Sequence, residues 1–315
     1  MKFTHFKSMS PECDSGSRPI KDLSPMLAIL VPRVHRFSKP AEQMLRNYGL
    51  WERKRDEATW DEADKMAAEK KVKGILFDFD NTLVPTRLAN KHALDKIIEI
   101  LAQYYTQKDA EQIAQKYKNL ILLKPSDPTG RIKPDIWRIG LLERLLKAKG
   151  NLSTKYKPSP TELYNIWNET RQEKLVIDEE TTALLQELKT YYRVGVVTNG
   201  DSTIQREKLT KAGVYPLIQT IVIGGEQPKP KPYPSIFQTA CALLNVPPHN
   251  CVVVGDNLHT DIQGGLNLGV LATVWVNYNF RKIKHTDPKP HYIINSVLEL
   301  PKVLEKLSKQ KITSF

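Results

Sequence analysis

The chain has 315 residues, of which 40% are apolar and 26% charged, so it is long enough to bury a sizeable globular core. Its three cysteines, Cys13, Cys241 and Cys251, are too few and too scattered for a disulfide framework or a zinc site, which favours a reducing, cytoplasmic location. The apolar run 26–31 is too short to cross a membrane, and the formal charge of +12 is spread along the chain. We therefore expect a basic surface in solvent, with no membrane insertion and no nucleic-acid binding.

Residues 1–73 differ in composition from the rest of the chain. Up to about Pro40 they are rich in Ser, Pro and Lys without a steady period, which predicts disorder. Residues 42–71 are charged and predict helix. Met66 stands close to the first predicted strand, so this N-terminal extension is either a dispensable addition or a binding segment for an unidentified partner.

From Gly74 onward, short β-branched runs alternate with helix-sized segments. The pattern predicts an α/β fold whose core is a parallel sheet with helices on both faces. In such sheets, ligands bind at the carboxyl ends of the strands. The predicted strands are 74–79, 194–198, 218–223, 251–255 and 272–276, with a helix at 205–212.

Residues 88–185 have a mainly helical pattern between the first two strands. Apolar residues recur there at helical spacing, as in the set Leu94, Ile97, Ile98 and Leu101. The sequence therefore predicts an inserted helical domain at 88–185 and a core formed by 74–87 and 186–315.

An acid pair follows the first predicted strand, in the run Asp78-Phe79-Asp80-Asn81-Thr82. Carboxylates spaced i, i+2 at a strand end can lie on the same side if the chain bends sharply, which Asn81-Thr82 would allow. Asp78 could then attack phosphorus and Asp80 could act as general acid and base. The alternative is a polar turn with a chance pair of acids.

Two further strand ends carry groups that suit a phosphate. Thr198 and Asn199 end the second predicted strand, where a hydroxyl and free N–H groups can bind a phosphate oxygen. Lys231 precedes a helix that begins near Ser235, and a fixed cation there could stabilise the transferring phosphoryl group. The alternatives are a helix cap for Thr198 and a solvated lysine for Lys231.

A second group of acids follows the fourth predicted strand. Asp256 stands at its end and Asp261 five residues later. Mg²⁺ prefers one or two carboxylates together with other oxygen ligands. Asp78, Asp256 and the backbone carbonyl of Asp80 would supply this shell, and Asp261 would orient it.

These motifs, in this order, resemble those of the haloacid dehalogenase-like superfamily: Asp78/Asp80, Thr198, Lys231 and Asp256/Asp261. The resemblance implies a Rossmann-like core, a C1-type helical cap, Mg²⁺ as cofactor and an aspartyl-phosphate intermediate on Asp78. The acid at position 80 favours phosphatases over dehalogenases.

A narrower resemblance is carried by the runs 198–201, 205–208, 224–227, 234–237, 260–267 and 272–275. They are similar to the phosphatases of this superfamily that hydrolyse N-acylneuraminate 9-phosphate, which implies a small anionic phosphosugar as substrate. A phosphatase for another phosphosugar, for phosphoglycolate or for a nucleotide stays open. A phosphomutase and a non-catalytic scaffold are further alternatives.

Three cations of the helical insertion are candidates for binding the carboxylate of such a substrate. Arg131, Lys133 and Arg138 lie in or beside a turn-rich stretch of the expected cap. The alternative is that they are ordinary surface cations. Residues 85–88 are the expected hinge of the cap.

Overall fold

The computed structural model describes residues 71–124, 126–127, 129–149 and 158–309. Residues 1–70 of the N-terminal extension, with its predicted disorder, nearly all of its predicted helix and Met66, lie outside the described residues. No helix within these described ranges is long and apolar enough to cross a membrane.

Six parallel strands form one sheet in the order β3-β2-β1-β4-β5-β6. The five predicted strands and the parallel sheet are confirmed, although the first and third strands are shorter than expected. The sequence did not predict β6, because it has three residues and buries only one of them fully. The strands are β1 Gly74–Phe77, β2 Arg193–Thr198, β3 Thr220–Ile223, β4 Cys251–Gly255, β5 Ala272–Val276 and β6 Tyr292–Ile294.

Apolar layers cover both faces of the sheet. All four residues of β1 are buried: Ile75 and Phe77 belong to one apolar cluster and Leu76 to another. Successive side chains of a strand point to opposite faces, so this division places one cluster on each face. The helices are α1 Thr86–Leu101, α2 Gln107–Leu123, α3 Pro134–Ala148, α4 Pro160–Glu173, α5 Glu179–Tyr191, α6 Ser202–Lys211, α7 Pro234–Leu244, α8 Gln263–Leu268 and α9 Leu300–Lys309, with a π-helical turn at Leu258–Ile262.

Helices α1 to α4 share an apolar cluster of their own, separate from those of the sheet. Trp167 of α4 lies in it, with its ring centre 5.9 Å from that of Tyr117 and 6.0 Å from that of Tyr164. Helix α5 packs instead on the sheet through Leu184 and Leu185. The predicted boundary between 185 and 186 therefore falls inside a helix that packs with the core, and the domain limits stay a prediction.

The sheet topology determines where a site can form. β1 is central, and its Phe77 is level with Val196 of β2 and Val254 of β4. The chain runs outward from β1 in both directions, and this change of direction opens a crevice at the carboxyl ends of the three strands. The predicted acids, threonine and lysine all follow strand ends on this side.

We expect Leu142→Ala, in the cluster of the insertion, to lower the free energy of unfolding by about 3 kcal/mol, because Leu142 is fully buried. Leu122→Ala is the matched control: Leu122 is 68% exposed, so its loss is expected to be below about 1 kcal/mol. Denaturant unfolding monitored by circular dichroism measures both. Equal losses would contradict a separate, well-packed core in the insertion.

Candidate active site

A tight turn after β1 presents the predicted nucleophile. The carbonyl of Phe79 accepts hydrogen bonds from the backbone N–H groups of residues 83 and 84. Asn81 has a φ of 65°, in the left-handed region that asparagine tolerates. The chain therefore bends where the sequence predicted it, and Thr82 donates a hydrogen bond of 3.0 Å to Oδ2 of Asp78.

Lys231 joins the acids of two loops. Its Nζ lies 2.6 Å from Oδ1 of Asp78, 2.7 Å from Oδ1 of Asp261 and 2.7 Å from the carbonyl oxygen of Val197. Burial lowers the pKa of Lys231, but the charges of Asp261 and Asp78 outweigh it and raise the pKa above its usual range. Lys231 is therefore a fixed positive charge inside the crevice.

Asn199 holds the backbone of Lys231. Its Nδ2 donates to the Lys231 carbonyl at 3.0 Å, and its Oδ1 accepts from the Lys231 N–H at 2.9 Å. Both polar atoms of the Asn199 side chain therefore bind the backbone of Lys231. The predicted contact of Asn199 with phosphate would have to come from its backbone N–H group. The Thr198 hydroxyl is buried and accepts a hydrogen bond of 2.6 Å from Gln205.

Three acids converge beside the lysine. Oxygens of Asp78, Asp256 and Asp261 lie within 4.8 Å of one another. Burial raises the pKa of Asp78 to about 8, with Lys231 opposing the shift and the neighbouring acids adding to it. Burial and the charge of Asp261 likewise raise the pKa of Asp256 to about 6. Oδ2 of Asp256 is buried and lies 3.1 Å from the guanidinium of Arg87, whose side chain is 57% exposed. This set fits a divalent cation, which would offset the repulsion between the carboxylates and would take the place of the exposed Arg87 beside Asp256.

Asp261 is held from both sides. Besides its contact with Lys231, its Oδ2 accepts a hydrogen bond of 3.0 Å from the backbone N–H of Asn257. Its carboxyl group lies so close to Gly255 that a Cβ at that position would overlap it. Asp261 thus connects Lys231 to the backbone after β4, a placement that agrees with the orienting role predicted for it.

Asp80 lies in a separate network. Its carboxylate accepts hydrogen bonds from Thr86, from Lys208 and, at 2.9 Å, from Gln205. Burial would raise the pKa of Asp80, but the charge of Lys208 and these hydrogen bonds outweigh it, so the pKa lies below its usual value. The charged form is favoured, which suits a group that takes a proton from water.

Comparison with known proteins identifies the family of this chain. Residues 72–269 match the haloacid dehalogenase-like hydrolase family. The chain belongs to this family. It is similar to the haloacid dehalogenase-like hydrolase YfnB from Bacillus subtilis, whose structure was solved bound to magnesium, with a TM-score of 0.53 and 23% identity over 74% of this chain and 99% of that one. This likeness shows the fold.

Two curated relatives are phosphatases. The chain is 37% identical over 238 residues to the N-acylneuraminate-9-phosphatase of Mus musculus, covering 75% of this chain and 95% of that protein. It is 28% identical over 242 residues to the glyceraldehyde 3-phosphate phosphatase of Pyrococcus furiosus, covering 76% of this chain and 95% of that protein.

Two residues of α6 contact Asp80 in this haloacid dehalogenase-like hydrolase, and the sequence alone predicted no role for either of them. Gln205 and Lys208 are buried three positions apart, while Arg206 and Glu207 between them are exposed. Residues three apart share a helix face, so a polar pair next to the predicted phosphate-binding motif at Thr198 was a usable signal. Their burial, however, depends on packing that no local pattern shows.

The three predicted cations of the insertion have different surroundings. Arg131 and Lys133 are exposed in the described turn before α3. Arg138, one turn into α3, is buried and lies over the ring of Trp167 at 5.7 Å. Only Arg138 combines charge with burial, and carboxylate binding by any of the three stays a prediction.

A cleft of about 350 Å³ adjoins Asp256 at the ends of β4 and β5. Arg87 lines it, with Nη2 3.1 Å from Oδ2 of Asp256 and a hydrogen bond to the hydroxyl of Tyr278. The side chain of Arg87 is more than half exposed, so this contact can rearrange readily.

We expect Gly255→Ala to lower kcat/KM for phenyl phosphate by about 100-fold, because the new methyl group displaces the carboxyl group of Asp261 and with it Lys231. Gly140→Ala is the matched control, since a Cβ there meets no atom within 4 Å. Steady-state kinetics on both variants provide the measurement. Full activity of Gly255→Ala would show that the position of Asp261 is not important.

Proposed function

We propose that this chain is a magnesium-dependent phosphomonoester hydrolase that works through an aspartyl-phosphate on Asp78. The observation that carries the proposal is the buried carboxylate of Asp78, held 2.6 Å from Lys231 and beside two more acids at the crevice of the sheet. Membership of the haloacid dehalogenase-like hydrolases supports it.

In the first step, a carboxylate oxygen of Asp78 attacks phosphorus, and the bond between phosphorus and the ester oxygen breaks. The electron pair stays on the leaving oxygen, which takes a proton from the carboxyl group of Asp80. Lys231 offsets the negative charge that collects on the phosphoryl oxygens in the transition state.

In the second step, the carboxylate of Asp80 takes a proton from water, and the water oxygen attacks phosphorus. The bond between phosphorus and Asp78 breaks, which releases inorganic phosphate and restores both aspartates. The low pKa of Asp80 favours the charged form that this step needs. The first step needs the protonated form, and the negative charge of a bound phosphate ester beside Asp80 would raise its pKa toward that form. Gln205 and Lys208 keep its carboxylate in place for both proton transfers.

Asp78 and Asp256 are the residues that would hold the magnesium ion, with the backbone carbonyl of Asp80 as a further ligand and Asp261 orienting the group. When bound, the ion supplies positive charge that keeps Asp78 ionised and offsets the charge of the phosphate. The raised pKa values of the two buried acids support this need for a cation.

The proposed substrate is N-acylneuraminate 9-phosphate, which would give the free sialic acid and phosphate in the cytoplasm. The identity of 37% over 95% of the mouse N-acylneuraminate-9-phosphatase supports it, against 28% for the archaeal glyceraldehyde 3-phosphate phosphatase. The scarcity of cysteine favours the cytoplasmic location.

The test is phosphate release from N-acetylneuraminate 9-phosphate, with Mg²⁺ and with a chelator, by the wild type and by Asp78→Asn. We expect release that needs the metal and that falls by at least about 1,000-fold in the variant, because the nucleophile is lost. Asp95→Asn is the matched control, since Asp95 is exposed on α1.

Hydrolysis of another ester, but not of this one, would keep the mechanism and reject the substrate. Conversion to an isomeric sugar phosphate without release of phosphate would indicate a phosphomutase. Full activity of Asp78→Asn would reject the mechanism.

A further inference from the structure

Two buried arginines lie in the helical insertion, outside the acidic cluster. Arg138 of α3 is 6% exposed and Arg171 of α4 is 7% exposed. Their guanidinium carbons lie 5.7 Å and 5.3 Å from the centre of the same ring, that of Trp167. Two positive charges that share one aromatic ring in the interior are unfavourable unless an anion joins them.

Arg171 lacks such an anion. Its Nε donates a hydrogen bond of 2.7 Å to Oδ1 of Asn90, and it forms no ion pair with any carboxylate of the described residues. Burial lowers the pKa of Arg171 to about 10, and the charge of Arg138 adds to this shift. Among the described residues, the guanidinium of Arg171 therefore has no carboxylate partner.

The end of α4 that carries Arg171 is hydrogen-bonded to α6, the helix whose side chains contact Asp80. Gln172 donates a hydrogen bond of 2.5 Å to Glu207 of α6, and Gln205 of the same helix donates to Asp80. The charge of Asp80 also acts on the pKa of Arg171, in the direction that raises it. Arg171 thus lies on the Asp80 side of the crevice.

This position would place Arg171 near the leaving alcohol of the substrate. In the proposed hydrolysis, Asp80 gives its proton to the leaving oxygen, so the alcohol that leaves lies beside Asp80. A negatively charged group on that alcohol would therefore face the side of the crevice on which Arg171 lies, away from the acidic cluster. The planar guanidinium of arginine suits a carboxylate, which it binds through two parallel hydrogen bonds.

We propose that Arg171, with Arg138 beside it, binds a carboxylate on the leaving group and so selects phosphate monoesters of carboxylated alcohols. The inference rests on the proposed hydrolase function, because that function places the leaving group next to Asp80. Trp167 positions both guanidinium groups, and Asn90 fixes the orientation of Arg171.

The test compares 4-carboxyphenyl phosphate with phenyl phosphate, which lacks the carboxylate. Calorimetry gives the Kd of each for full-length Asp78→Asn protein with Mg²⁺, where binding does not depend on turnover. We expect the carboxylate to tighten binding at least tenfold. The double variant Asp78→Asn/Arg171→Gln should bind the two esters with equal Kd.

Three further variants in the Asp78→Asn background control this result. Arg171→Lys keeps the charge but not the paired hydrogen bonds, so it should retain part of the preference. Lys147→Gln removes an exposed cation of α3 and should leave the preference unchanged. Arg138→Gln should weaken the preference for the carboxylated ester. If circular dichroism shows that the Arg171→Gln protein is unfolded, Arg138→Gln becomes the deciding variant.

Equal binding of the two esters by the Asp78→Asn protein would overturn the inference, as would a preference that survives Arg171→Gln. Failure of the proposed function is seen separately, as the absence of phenyl phosphate hydrolysis by the wild type. The binding result stands in either case, because it requires no turnover.

Discussion

The ammonium group of Lys231 holds the site together. It contacts Asp78 after β1, the carbonyl of Val197 in β2 and Asp261 after β4, so one buried charge connects the ends of three strands. Such a network is stable only if each charge has a partner, because an unpaired buried charge is costly. Asn199 accordingly fixes the lysine backbone on one side, and the bare backbone of Gly255 makes room for Asp261 on the other.

The same sheet supports two networks with opposite electrostatic character. The acids around Asp78 are crowded and have raised pKa values, a state that a cation relieves. Asp80 is surrounded by donors and has a lowered pKa. Helix α6 links the second network to the insertion, where Arg138 and Arg171 lie buried beside Trp167. In the proposed hydrolysis, the first network would hold the cation and the phosphate, and the second would lie beside the rest of the substrate.

The sequence could predict the functional residues whose signal is local, and it missed those that only tertiary packing buries. Asp78 and Asp256 follow uninterrupted apolar runs, and this change from apolar to acidic is visible locally, so both strand ends were found. Lys208 and Arg171 are cations on helices of mixed composition, and only tertiary packing buries them. β6 was missed because three partly buried residues at a sheet edge carry too little pattern.

The most direct test of the account is to trap the phosphorylated enzyme. Full-length protein is mixed with substrate labelled with ³²P in its phosphoryl group, quenched in acid within the first turnover, digested, and mapped by mass spectrometry. The account predicts label on the peptide that contains Asp78, fixed to that side chain, and no label in Asp78→Asn. Label on a different residue, or rapid hydrolysis with no labelled protein at any time, would contradict it.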